Sequence, residues 1–194
     1  MKQLFFILIM IICAFSAGAL ADVISFDFRG NGEAFDFQSS TGQIITSGIT
    51  MSFAAIDPED SSAQLNAATY FGVNSSDDSD TDTVEFGQYI TISFSSSIYT
   101  SINLQQISVG AWTTNVDAGY YQIDIGSVVA LTSGNNDLSP NIDVLGKTLK
   151  FAVTEGNGIS FNGITVEVIP EPATMALVGL GGLLALISRR LRSV

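Results

Sequence analysis

The sequence predicts an all-β protein, an antiparallel β-sandwich of jelly-roll type set between two membrane-directed segments. Three observations predict it. Apolar residues between positions 22 and 168 recur with a step of two, the period of strands with one face in a core and one in water. Clusters of Gly, Asn, Asp and Ser divide these stretches at short intervals, as turns do. No helical period intervenes, and no fixed repeat length supports a β-helix. Many short strands so divided imply a sandwich.

The chain opens with Lys2, an apolar run over residues 4–15 and a small-residue stretch ending Ala19-Leu20-Ala21. A positive start, an apolar core and an A-x-A site predict a secretory signal peptide over residues 1–21, cut before Asp22. The β domain then spans residues 22–168. Its first strand puts Ile24, Phe26 and Phe28 on one face. Ile49-Thr50-Met51-Ser52-Phe53 and Ile90-Thr91-Ile92-Ser93-Phe94 repeat the device. Ile102 and Leu104 are one residue out of phase with Ile107 and Val109 across Gln105-Gln106, which predicts a bulge or a change of sheet. "QIDIGSVVAL", residues 122–131, reads as a hairpin with a two-residue turn at Gly126-Ser127, the glycine supplying positive φ. Leu149-Lys150-Phe151-Ala152-Val153 and Ile164-Thr165-Val166-Glu167-Val168 close the alternation. About nine or ten strands are expected.

Composition removes most chemistry. The 194 residues include no histidine and one cysteine, Cys13, which leaves with the signal peptide. A Ser-His-Asp triad is impossible, thiol catalysis is absent, and neither a zinc site nor a disulfide is expected. No phosphate-binding glycine loop occurs. A carboxylate-pair glycosidase survives composition. However, Glu33, Glu59, Glu85, Glu155 and Glu167 do not form the Glu-x-Asp-x-x-Glu strand motif of jelly-roll glucanases. Residues 22–168 carry three Lys/Arg against eighteen Asp/Glu, a net charge of −15. Nucleic acid is therefore not an expected partner, nor is an anionic membrane surface.

Two polar features stand out. Residues 74–85 hold five carboxylates, Asp77, Asp78, Asp80, Asp82 and Glu85. The alternation begins like an EF-hand loop, but Thr83 stands where its glycine is needed and Tyr89 where its bidentate glutamate is needed. The loop is a solvated acidic face or, with another loop, a structural Ca²⁺ site; no other cofactor is expected. Trp112, the one tryptophan, with Tyr120 and Tyr121 could form a sugar-stacking platform or simply pack at the core's rim.

The chain ends in Pro170-Glu171-Pro172, an uncharged run over residues 173–187, and Arg189, Arg190 and Arg192. Fifteen helical residues span roughly 22 Å, short of the roughly 30 Å hydrocarbon core. The terminal arginines nonetheless read as a stop-transfer signal, held on the cytoplasmic side. They snorkel to cover the missing length. A transmembrane helix is expected over residues 173–188, preceded by extended backbone at the two prolines.

These three parts in this order resemble the PEP-CTERM sorting signal of Gram-negative bacteria, over residues 169–194. The resemblance implies transient anchoring in the inner membrane and processing by an exosortase, an integral-membrane thiol protease/transpeptidase. It further implies delivery to the cell surface or matrix, in bacteria that make exopolysaccharide. "YFGVNSSDDSDTDTVEFGQYITISF" also resembles exported members with lectin-like sandwiches. The expected function is a structural or adhesive surface protein without catalysis. The rivals are a carbohydrate-binding module for the cell's own polysaccharide and, behind it, a glycosidase.

Overall fold

In a computed structural model, residues 21–29, 39–66, 71–75, 83–171 and 182 are described. They form twelve strands: β1 (Asp22–Asp27), β2 (Thr41–Thr46), β3 (Ile49–Ile56), β4 (Gln64–Asn66), β5 (Gly72–Asn74), β6 (Tyr89–Ser96), β7 (Tyr99–Gly110), β8 (Ala118–Ile123), β9 (Val129–Ala130), β10 (Gly134–Asp143), β11 (Thr148–Glu155) and β12 (Ser160–Pro170). A four-stranded sheet runs β1-β12-β7-β10, a six-stranded sheet β2-β3-β6-β11-β8-β9, and β4 pairs with β5. Every strand pair is antiparallel. The all-β expectation holds. The strands beyond the expected nine or ten come from pieces of two or three residues, β4, β5 and β9, too short to show a period.

The alternation works as the sequence implies. Ile49, Met51, Phe53 and Ala55 of β3, and Ile90, Ile92 and Phe94 of β6, are buried. They share one core with Leu104 and Ile107 of β7 and Ile164, Val166 and Val168 of β12. Phenylalanines join the two sheets. Phe151 of β11 lies 4.9 Å from Phe161 of β12, and Phe28, just past β1, meets Phe53 edge-on at 5.5 Å. Each ring so buried stabilises the fold by about 1.5–3 kcal/mol, with a smaller addition from the tilted and edge geometries.

The phase slip in β7 is a bulge. Gln106 pairs with Thr165 and Leu104 with Val166, so Gln105 is left over. Ile102, Leu104, Ile107 and Val109 can then all point inward. On its other side β7 pairs Gln106 with Asp137 and Leu104 with Ile142, so β10 loops out four residues at the same point.

The hairpin at residues 122–131 forms, with Tyr120 opposite Ala130 and Tyr121 opposite Val129. Its turn differs from the expected one. Asp124, at φ 50°, takes the left-handed conformation, whereas Gly126 does not. Asp124 is pinned there because its N–H donates to the Thr148 carbonyl at 2.8 Å and its carboxylate accepts the Thr148 N–H at 2.9 Å. The turn closes with Gly126 N–H donating to the Ile123 carbonyl, and Ile125 projects from the tip, fully exposed.

The signal peptide lies outside the described residues except Ala21, and the expected transmembrane helix lies outside them except Gly182. Among the described residues no helix is long and apolar enough to cross a membrane.

Candidate functional site

The sorting segment grows directly out of the sheet. β12 includes Pro170, whose partner across the ladder is Tyr99 of β7. Proline has no N–H to give, so the last ladder bonds come from its neighbours. Thr100 Oγ1 donates to the Ile169 carbonyl at 3.1 Å, and Glu171 N–H donates to the Ile98 carbonyl at 3.0 Å. The segment that receives Glu171 is itself fixed. Ser96 Oγ accepts the N–H groups of Ile98 and Tyr99 and donates to the Gly48 carbonyl at 2.7 Å. Tyr99 donates its hydroxyl proton to the Ser47 carbonyl at 2.9 Å. Gly48 must be glycine there, because its φ is +75° and a Cβ would sit 2.2 Å from Ile98 Cδ1. Pro170 and Glu171 are thus extended and strapped to the domain. Pro172, Arg189, Arg190 and Arg192 lie outside the described residues.

The acidic loop is described at its two ends only; Asp77, Asp78, Asp80 and Asp82 lie outside. Its ends are clasped by a polar network. Ser75 Oγ donates to Asp57 Oδ2 at 2.7 Å, and Gln88 Nε2 donates to Ser75 Oγ at 2.7 Å and to Asp57 Oδ2 at 3.2 Å. The Glu85 N–H donates to Gln88 Oε1 at 2.9 Å. Burial alone would raise the Asp57 pKa. The hydrogen bonds from Ser75, the Glu59 N–H, Gln88 and the Asp60 N–H outweigh it and hold the carboxyl below its ordinary 3.8. Asp57, Glu59 and Glu85 border one hollow with Phe86 and Gln88. Among the described residues, however, no three acidic, histidine or cysteine side chains converge as metal ligands.

The three aromatic candidates are not brought to one face. Tyr121 lies in the core opposite Phe151, and burial raises its hydroxyl pKa above 10.0. Tyr120, its neighbour along β8, points the other way. Trp112 packs against the core, its ring near Gly119 on the Tyr121 side.

A different aromatic pair emerges on the outer face of the six-stranded sheet. Tyr89 of β6 and Tyr120 of β8 flank Ala152 of β11 in one row. The Lys150 ammonium sits 3.8 Å from the Tyr89 ring centre and 5.8 Å from that of Tyr120, a cation held against aromatic faces. Neighbouring rows carry Gln43, Ser52, Thr91, Ser93, Thr148 and Gln122. Gln43 donates to Ser52 Oγ at 3.1 Å, and the Ser93 and Thr148 hydroxyls lie 3.0 Å apart. Lys150 was legible as outward-facing from its place between Leu149 and Phe151. Its companions were not, because cross-strand register is a long-range property.

Residues 168–193 match the PEP-CTERM protein-sorting motif. The chain therefore carries that signal, and with it the character of an exported protein sorted as an exosortase substrate. The match covers the tail and the last three residues of β12. No curated protein and no solved structure matches the chain.

Proposed function

We propose that the chain is a structural or adhesive protein of the cell surface or extracellular matrix, delivered without a catalytic task of its own. One observation carries the reading. The sorting motif begins inside strand β12, sharing its last three residues, so a folded β domain is the cargo that the signal delivers. The lack of histidine, and of cysteine after residue 13, supports a non-catalytic role. In this reading residues 173–188 hold the protein in the inner membrane until the exosortase acts, and the domain is a jelly roll. The strand orders β1-β12-β7-β10 and β6-β11-β8-β9 support that fold as two interleaved Greek keys, with β2 and β3 added at one edge. Cell fractionation with and without the exosortase tests the reading. Surface or matrix protein should be replaced by a membrane-retained form when the enzyme is absent; unchanged distribution would refute it.

A second reading, polysaccharide binding, is favoured by the outer face around Lys150. That face combines rings, hydroxyls and amides, and its inner rows carry no carboxylate in an otherwise acidic protein. A glycan array separates the two platforms that the chain offers. Binding lost on Tyr120→Ala and kept on Trp112→Ala would support this face, and the reverse would restore the Trp112 platform. No binding would leave the structural role alone.

A further inference from the structure

The strand register gathers everything that leaves the domain at one end. β12 finishes there at Pro170, and β1 begins there, because Asp22 pairs with Val168. β7 starts there at Tyr99, so the β6–β7 turn with Ile98 lies beside the departing tail. The six-stranded sheet carries the same end sideways. Thr46 pairs with Ile49 and Ile49 with Ser96, which sets the β2–β3 turn next to Ile98. Thr148 pairs with Ser93 and Leu149 with Ile123, which points the β8–β9 tip the same way, its first residue Asp124 three residues short of the end of β6.

That end is apolar where it is exposed. Among the described residues eight large hydrophobic side chains are exposed, and four belong to this end: Ile125, Ile45, Val23 and Ile98. Phe86 and Val116 mark the opposite end, next to the first residues of β6 and β8. A strand of eight residues separates the two ends by roughly 25 Å.

The tail fixes what this end must face. Glu171 is tied to Ile98, and Pro172 alone separates it from the uncharged run that begins at Ala173. One residue reaches at most about 3.6 Å. The domain therefore has no tether with which to stand away from the bilayer that takes the run. With the domain tilted over its tail, the loop tips carrying Ile98 and Ile125 reach the headgroup layer, where aliphatic side chains gain by leaving water. The carboxylates nearby, Asp22, Asp124 and Glu171, favour a zwitterionic surface over an anionic one.

We propose that the end bearing Ile98 and Ile125 is a bilayer-docking face, used while the sorting tail holds the chain in the membrane. This rests on the tail's insertion, so the test measures insertion separately. Residues 22–194, the form expected after signal cleavage and free of cysteine, receive one new cysteine, Ile125→Cys or Val116→Cys, each labelled with an environment-sensitive dye. Each is reconstituted into phosphatidylcholine vesicles. Both are exposed positions, so neither change threatens folding. Co-sedimentation with vesicles reports insertion; dye emission and iodide quenching report docking. The expected result is a blue shift and several-fold weaker quenching at position 125, with position 116 behaving as in water. Equal, strong quenching at both positions in a chain that co-sediments would overturn the docking face alone. A chain that stays in the supernatant would overturn the tail's insertion and the docking face with it.

Discussion

Asp22 lies directly opposite Val168 in the β1–β12 ladder. The first residue after the expected signal cleavage thus pairs with the first residue of the matched sorting motif, and the two termini of the domain close on each other. Among the described residues β1 is an edge strand with only β12 for a neighbour, so its hold depends on the rings just inside it. Phe28 is fully buried and lies 5.4 Å from both Phe71 and Phe161. Phe28→Ala should cost about 3–5 kcal/mol, read from denaturant midpoints at unchanged slope. A loss under about 1 kcal/mol would mean that this ring does not join the sheets.

Asp57 predicts an acid-sensitive clasp. Its folded-state pKa is depressed, so the stability it contributes is complete above its ordinary 3.8 and is lost as pH falls through the lower folded value. Asp57→Asn should therefore lower the melting temperature at neutral pH by a few degrees. The gap between the two proteins should shrink below pH 4. A constant gap from pH 7 to 3 would show that the hydrogen bonds of Ser75 and Gln88 do not depend on the charge.

The fold was legible in the sequence wherever a strand shows one face to the core and one to water. Ile49-Thr50-Met51-Ser52-Phe53 reads its own burial, and the slip across Gln105-Gln106 announces a bulge or a change of sheet, of which the bulge is found. The turn at residues 124–127 was not legible, since glycine is the obvious bearer of positive φ. Asp124 takes it because Thr148, distant in sequence, supplies both a donor and an acceptor. The sorting motif was equally local, a run of neighbours. The Tyr89–Lys150–Tyr120 grouping was hidden, because three strands must pair in register before those side chains meet.

The tail predicts a division of labour between its two kinds of residue. Replacing Arg189, Arg190 and Arg192 by Ser should weaken membrane retention, because the stop-transfer charge is gone. Pro170→Ala should leave insertion intact and impair exosortase processing. The strap at Ile98 should survive that change, since its donor is the N–H of Glu171. Membrane fractions and the size of the released product, compared in the two variants, check this. Identical behaviour would show that anchoring and processing are not separable in this segment.

The last prediction concerns Asp77, Asp78, Asp80, Asp82 and Glu85. Five like charges within nine residues repel one another, and residues 22–168 offer only Arg29, Lys147 and Lys150 as counter-charge. Arg29 already pairs with Asp27 at 2.7 Å, and Lys147 Nζ donates to the Asp143 carbonyl. Lys150 rests on Tyr89. The described ends of the segment are tied together through Ser75, Gln88 and the Glu85 N–H. A hard cation with irregular oxygen coordination suits such a segment better than water alone, and Ca²⁺ at roughly 10⁻⁴–10⁻³ M is the expected ligand and range. At 100 times the dissociation constant it should stabilise the fold by about 2.7 kcal/mol. Thermal unfolding of the chain in EDTA, Mg²⁺ and Ca²⁺ provides the measurement. A higher midpoint in Ca²⁺ alone supports a site, equal midpoints in the two cations mean screening, and no shift leaves a solvated acidic face.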